Sequence, residues 1–398
     1  MNSQASIAGS LLECSDNSIL WKVRKTLENS SVPLAKQVNR VPSMTVQLGP
    51  EQQARFDTLM EDLIMVDLHQ HPMVCSDDMG DFIEYLRGGV YEWGYQAAKV
   101  GGWSAVATAN CFSGMVKSPE LSYISFEDLV EEIGLMLANV SRNPDVVLKV
   151  TNAEDILAVS RTEKVGFLPT VEHLAIGDVL NRIDVLFSLG VRVAGLTYNY
   201  QNSIGCGLVE SKDSGLTDFG RAAVERMNDL GVAVDVSHAG YKTAMDAINH
   251  SKVPITFSHN AAHTLRPTWR TRNDDELVAC AKKGGLIAVT AVPNSLSDDP
   301  KQDISCVLDH YDYLVNLVGI DHVGIGTDTL IGDHVGYHVQ MMGRNFIRQT
   351  PAPYLDGLES PADGKNIIRG LITRGYKDAE IRKIAGDNAL SFLRRVTK

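Results

Sequence analysis

The chain has 398 residues, 44% of them hydrophobic and 22% charged, and carries a net charge of −12. That length suits one large α/β domain or two smaller ones, and the composition is ordinary for a folded globular protein. The acidic balance, with no dense Lys/Arg block, argues against nucleic acid or an anionic membrane as the main partner.

Six cysteines (Cys14, Cys75, Cys111, Cys206, Cys280, Cys306) are scattered without a Cys-x-x-Cys pair. This excludes a cysteine zinc motif and disfavours a disulfide framework. The first twenty residues lack a basic start followed by a long apolar core, and no apolar run reaches membrane-spanning length. The expectation is a reduced, cytoplasmic protein without a membrane partner.

In chain order, residues 1–50 are polar and Ser/Asn-rich and read as an N-terminal extension, with a short helix around residues 19–29. Residues 51–398 read as one domain. Glu51–Asp62 has helical spacing, with Phe56, Leu59 and Met60 on one side. Short β-like runs then follow at Leu63–His69, Trp103–Ala109, Gly166–Glu172, Val191–Thr197, Val232–His238, Val253–His259, Gly285–Ala291 and His322–Asp328. Amphipathic spacers separate most of them. In Phe219–Leu230, Phe219, Ala223, Met227 and Leu230 share a face, and Asp274–Lys283 precedes the seventh run. Eight runs with helical spacers predict a (β/α)8 TIM-type barrel. An open doubly wound sheet could show the same alternation, but no Gly-x-Gly-x-x-Gly follows the first run.

The polar residues fall at the C-terminal ends of these runs. His69 and His71 close the first; Glu172, His238, His259 and Asp328 close four others. In a strand, residues i and i+2 share a face, so His69 and His71 project together. In a parallel barrel all strand C-termini meet at one mouth, where active sites are built. Taken singly, each residue has a plainer reading: a satisfied histidine, a helix-start acid, a turn aspartate. Jointly, four imidazoles and two carboxylates form a nitrogen/oxygen set suited to zinc or a similar divalent ion.

The order His-x-His, Glu, Asp-x-Ser-His, Phe-Ser-His, Gly-x-Gly-x-Asp resembles the membrane (renal-type) dipeptidases, within the metal-dependent amidohydrolase superfamily. Leu196-Thr197-Tyr198-Asn199, Gly215-Leu216-Thr217-Asp218-Phe219-Gly220, Asn228-Asp229-Leu230-Gly231, Arg272-Asn273-Asp274-Asp275 and Gly386-Asp387-Asn388 extend the resemblance from about Leu63 to the C-terminus. It implies two zinc ions bridged by Glu172, with His69 and His71 completing one site and His238 and His259 the other. It further implies a water attacking an amide carbonyl, with Asp328 taking its proton and passing it to the leaving amine. Arg272 would hold a substrate carboxylate through its guanidinium fork, with Arg270 a rival for that role. A small dipeptide-like substrate is implied, and a homodimer is compatible with the resemblance.

Three positions depart from the family pattern. His71 stands where an aspartate is expected, which removes one negative charge. Tyr198 stands where a histidine polarises the scissile carbonyl; its hydroxyl could donate the same hydrogen bond, or its ring could simply pack. Glu172-His173-Leu174 replaces Glu-Gly-Gly, and strand alternation turns His173 away from Glu172. The substrate expected is therefore a small amide, a cyclic amide or a modified dipeptide. Two alternatives stay open: a mononuclear deaminase or cyclic-amide hydrolase of the same superfamily, and a non-catalytic small-molecule-binding barrel. His263, His334 and His338 read as loop residues near the mouth. Trp103 and Trp269 line the pocket or fill the space between layers. Asp67, two residues before His69, is expected on the same face as a supporting residue.

Overall fold

The computed structural model describes residues 44–74, 92–110, 124–331 and 355–398. Residues 1–43 of the extension, with Cys14, Cys75, Cys111, the Asp77-Asp78 pair, His334 and His338, lie outside these.

Apolar runs bounded by turns become the eight strands of a closed parallel barrel. They are β1 (Val66–Val74), β2 (Ala105–Asn110), β3 (Val165–Val171), β4 (Val193–Gly195), β5 (Ala233–Asp235), β6 (Thr256–Asn260), β7 (Leu286–Val289) and β8 (Val323–Ile325). Each pairs with the next, and β8 pairs back onto β1 through Ile325 and Asp67. All eight expected runs contain a strand. Four further short strands among the described residues were not expected: Gln302–Asp303 pairs with Leu355–Asp356, Leu330–Ile331 pairs with β1, and Val147–Lys149 pairs with the first half of β3, whose last two residues pair with β4.

Strand alternation sorts side chains into two cores. Val66, Leu68, Ala105, Ala107, Leu168, Val193, Ala233, Leu286 and Ala288 form the inner one, capped by Ala389, Leu390, Phe392 and Leu393. Those last four lie on the C-terminal helix Asn388–Val396. Its first residue, Asn388, donates through Nδ2 to Val323 O at the start of β8, so this helix covers the N-terminal end of the barrel. The opposite strand faces, with Val106, Phe167, Val234, Phe257, Ile287 and Ile325, pack against the surrounding helices. The helix Asp218–Leu230 shows the local logic. Thr217 caps its start by accepting from Gly220 N, and Gly231 ends it in the left-handed region. Ala223, Val224 and Met227 are buried, and Phe219 and Leu230 flank them half-buried.

Two strands break alternation where they reach the mouth. On β1, Asp67 pairs with Val106 and Gln70 with Thr108, three residues against two. On β6, Phe257 pairs with Ile287 and Asn260 with Val289 in the same way. Such bulges re-aim side chains. The first one corrects the expectation for Asp67: it shares a face with Gln70, not with His69.

Asp67 instead fastens the barrel seam. Its Oδ1 accepts from His69 N at 3.1 Å and Thr327 N at 2.9 Å. Its Oδ2 accepts from Thr327 Oγ1 at 2.6 Å and Gln70 Nε2 at 2.8 Å. Burial pushes its carboxyl up to about 6, with the hydrogen bonds from Thr327, His69 and Gln70 pulling the other way. Removing the carboxylate strands two buried backbone donors. Asp67→Ala is therefore expected to lower the unfolding free energy by about 3 kcal/mol, read from a denaturant titration. An unchanged midpoint would show that strand pairing alone closes the barrel.

Candidate metal centre

The mouth opposite the C-terminal helix gathers the six polar residues picked out by their strand-end positions. His69 and His71 lie on β1, Glu172 follows β3, His238 lies beyond β5, His259 is on β6 and Asp328 lies beyond β8. Glu172 Oε1 is 2.8 Å from His238 Nε2, 3.6 Å from His259 Nε2 and 3.7 Å from His69 Nε2. Asp328 Oδ1 is 3.2 Å from His71 Nε2 and 3.6 Å from His69 Nε2. The β1 rings meet edge to face at 4.9 Å, as their i, i+2 spacing predicts. Backbone contacts hold the two strand ends together: Asp328 N donates to His69 O, and His71 N to Thr329 O, each at 2.8 Å. Asp328 itself sits in the left-handed region at φ 58°.

Three overlapping sets place one ligand atom from each member within 4.8 Å of the others: His69, His71 and Glu172; Glu172, His238 and His259; and His69, His259 and Asp328. Burial lowers the His69 imidazole to about 3 and drives His238 and His259 well below the ordinary value, with Arg270 adding to each shift. These rings are therefore neutral. For Asp328, burial raises the carboxyl, but the His71 hydrogen bond and the neighbouring cationic groups outweigh it and bring it to about 2.

The donor count decides what fits here. His238 Nδ1 is 2.8 Å from Asn199 Oδ1, which can only accept, so that nitrogen carries the proton and Nε2 presents a lone pair. His238 Nε2 lies 2.9 Å from His259 Nε2 and 2.8 Å from Glu172 Oε1. His69 Nε2 is buried without a hydrogen-bond partner. Arg270 Nη2 reaches His238 Nε2 alone among these nitrogens, at 3.2 Å, and the remaining buried lone pairs beside the carboxylate are unfavourable unless a further cation lies among them. The residues fit a divalent metal.

The sequence profile of the membrane dipeptidase family (peptidase family M19) matches residues 53–398. The chain belongs to this family. A protein of Claviceps purpurea named dipeptidase tcpJ is 29% identical over 287 residues, 70% of this chain. That match spans 62% of the relative's length. An amidohydrolase from Pseudomonas aeruginosa is 27% identical, with a TM-score of 0.74 over 86% of this chain and 99% of its own. A Rhodobacter sphaeroides metallo peptidase, solved with a phosphinate mimic of L-Ala-D-Ala, shares the fold at 20% identity, with a TM-score of 0.68 over 84% of this chain and 99% of its own.

The two arginines divide differently from the expectation. Arg272 is 1% exposed and its donors are engaged. Nη2 donates to Val236 O, Ser237 O and Ala239 O, Nη1 to Glu276 Oε1 and Nε to Asn260 Oδ1. It clamps the turn that carries His238 and has no fork left for a substrate. Arg270 faces the cluster: Nη2 donates to His238 Nε2 and His259 O, each at 3.2 Å, and Nη1 to Ser237 O and Asn260 Oδ1. Tyr198 stacks on His238 at 4.4 Å. His173 joins none of the metal sets among the described residues, and its ring nitrogens are buried without hydrogen-bond partners. His263 is taken up by Thr271 Oγ1 and Thr268 O. Trp103 fills the helix layer, donating to Pro361 O, whereas Trp269 is 49% exposed.

Sequence reading missed Asn199, which supports His238 from a left-handed backbone at φ 58°. It also missed Asn260, whose Oδ1 accepts from both arginines. The one signal for Asn199 was its place beside Tyr198 in the Leu-Thr-Tyr-Asn segment.

Arg272→Ala leaves Glu276 as an unpaired buried charge and takes one donor from each of three carbonyls, Ala239 O having no other donor among the described residues. The expected cost is on the order of 3–5 kcal/mol, seen as a lower denaturation midpoint. Full stability with impaired substrate binding would instead return Arg272 to the substrate-fork role.

Proposed function

We propose that this chain is a metal-dependent hydrolase that cleaves the amide C–N bond of a dipeptide or dipeptide-like small molecule. The observation that carries this is the convergence of His69, His71, Glu172, His238, His259 and Asp328 at one barrel mouth, in a chain that matches the membrane dipeptidase family over residues 53–398. The metal reading is zinc, with Glu172 between the pairs His69/His71 and His238/His259. When bound, the ions supply Lewis acidity toward the amide carbonyl and toward water.

The chain's own groups account for the rest. Asp328, ionised at neutral pH, takes a proton at its carboxylate and returns it to the leaving amine nitrogen. Arg270, less buried than Arg272, would turn its fork from Ser237 O, Asn260 Oδ1 and His259 O to a substrate carboxylate, in the role first assigned to Arg272. Tyr198, laid flat on His238, offers its hydroxyl to the carbonyl oxygen. His71 in place of an aspartate, and Tyr198 in place of a histidine, support a substrate other than a plain dipeptide: a cyclic amide, a small amide or a modified dipeptide. No helix among the described residues is long and apolar enough to cross a membrane. Cys206, Cys280 and Cys306 are free thiols, which supports a cytoplasmic setting.

The His-x-His pair favours one second reading, a mononuclear deaminase or cyclic-amide hydrolase. Metal analysis of the purified protein separates the two: two zinc equivalents per chain are expected, and one would support the alternative. With zinc supplied, a panel of L,L- and L,D-dipeptides, cyclic amides and modified dipeptides should show preference for the modified substrates. Efficient turnover of ordinary dipeptides would sink the shifted specificity while leaving the hydrolase in place.

Asp328→Asn should lower kcat by roughly 10²- to 10⁴-fold with little change in KM. Arg270→Ala should mainly raise KM for substrates that carry a free carboxylate. If it affected carboxylate-free amides equally, its assignment as the carboxylate partner would be wrong.

A further inference from the structure

Below the histidines, at the last position of β5, lies a second buried aspartate. Asp235 is 3% exposed and pairs in register with Gly195 and Thr256. Its Oδ1 accepts from Ser237 N at 3.0 Å, Ser237 Oγ at 2.7 Å and Ser258 N at 3.0 Å. Its Oδ2 accepts from Ser258 Oγ at 2.6 Å. Ser258 Oγ also lies 2.8 Å from His259 Nδ1.

The distances along this chain favour one proton arrangement: Ser258 Oγ lies closer to Asp235 Oδ2 than to Ser237 Oγ, which is 3.2 Å away. A serine hydroxyl has a single hydrogen, and an ionised carboxylate can only accept. The Ser258 hydrogen therefore points to Asp235, and Ser258 Oγ must accept from His259. His259 Nδ1 then carries the ring proton, and Nε2 presents its lone pair to the cluster.

We infer that Asp235 is a positioning residue that acts through Ser258 to hold His259 in its metal-binding tautomer. The same carboxylate ties together the residues that precede both ligands, Ser237 before His238 and Ser258 before His259. The two histidines are thus supported unequally. His238 leans on the neutral amide of Asn199, while His259 is one hydroxyl away from a full negative charge. Charge relayed to the far nitrogen raises ligand basicity, so His259 is the stronger donor of the pair.

The inference rests on His259 being a metal ligand, but its test uses metal-free protein. Long-range ¹H–¹⁵N spectra of the full chain with ¹⁵N-labelled histidine report each ring's tautomer, and a His259→Asn spectrum assigns the signal. In the wild type His259 is expected as Nδ1–H. Ser258→Ala should shift it to Nε2–H or a mixture, and Ser258→Thr should restore the wild-type pattern. Zinc affinity, measured by chelator competition, should fall roughly 10- to 100-fold in Ser258→Ala and recover in the threonine variant. Asp235→Asn should move both readouts the same way; if it does not fold, the serine variants decide alone. An Nε2–H tautomer in the wild type, or one unchanged in Ser258→Ala, overturns the inference whatever the zinc affinity does. The expected shifts in a protein that hydrolyses no amide would sustain the inference and remove the hydrolase reading.

Discussion

Two imidazole nitrogens 2.9 Å apart, both facing a buried carboxylate oxygen, are the arrangement on which the rest of the structure depends. Acceptor groups this close repel one another once water is excluded. Side chains free to relax would turn apart. They stay because each is fixed from behind: His238 by Asn199, His259 by Ser258, and His69 through its backbone by Asp67. The barrel supplies the stiffness. Its interior is filled with small aliphatic side chains, and its far end is plugged by the C-terminal helix. Strain at the mouth has no soft interior to escape into.

Two aspartates carry this support from opposite sides of the barrel wall. Asp67 faces outward with Gln70 and closes the β1–β8 seam. Asp235 lies on the other side and joins the ends of β5 and β6. The bulges on β1 and β6 explain the split. An extra residue in each strand turns His69 and His259 out of simple alternation and into the cluster, so the residue behind each need not share its face. The arginines divide in a related way. Both touch Asn260 Oδ1, but Arg272 is consumed by the carbonyls of the His238 turn, and Arg270 keeps a guanidinium nitrogen on His238 itself.

The strands were legible because each buried run is apolar and ends in a turn, and the convergence of the polar residues because barrel strands deliver their ends to one mouth. What the sequence hid depends on contacts that no spacing encodes. Alternation put Asp67 on the His69 face, and a one-residue bulge undid it. Arg270 and Arg272 are two residues apart, and only burial separates a clamp from a residue facing the site. Val147–Lys149 is a three-residue strand, too short for a periodic signal. Asn199 needs a left-handed backbone, which in a non-glycine residue shows no composition cue. Asp235 sat three residues before a recognised ligand, yet its role depends on Ser258, which is distant in sequence and adjacent only through β5–β6 pairing.

The position that departs most from the family pattern also touches the residue given the proton. His71 stands where an acid is expected, and its Nε2 lies 3.2 Å from Asp328. An aspartate there would repel Asp328 and raise its affinity for a proton; an imidazole instead helps to hold it near 2. The substitution therefore weakens Asp328 as a base while removing one negative charge from the candidate metal site. A less neutralised cation is a stronger Lewis acid and makes its own water easier to deprotonate. The two effects offset where water is deprotonated. A carboxyl that holds its proton less tightly is also the better acid toward a leaving amine, so what Asp328 loses in taking the proton it regains in passing it on.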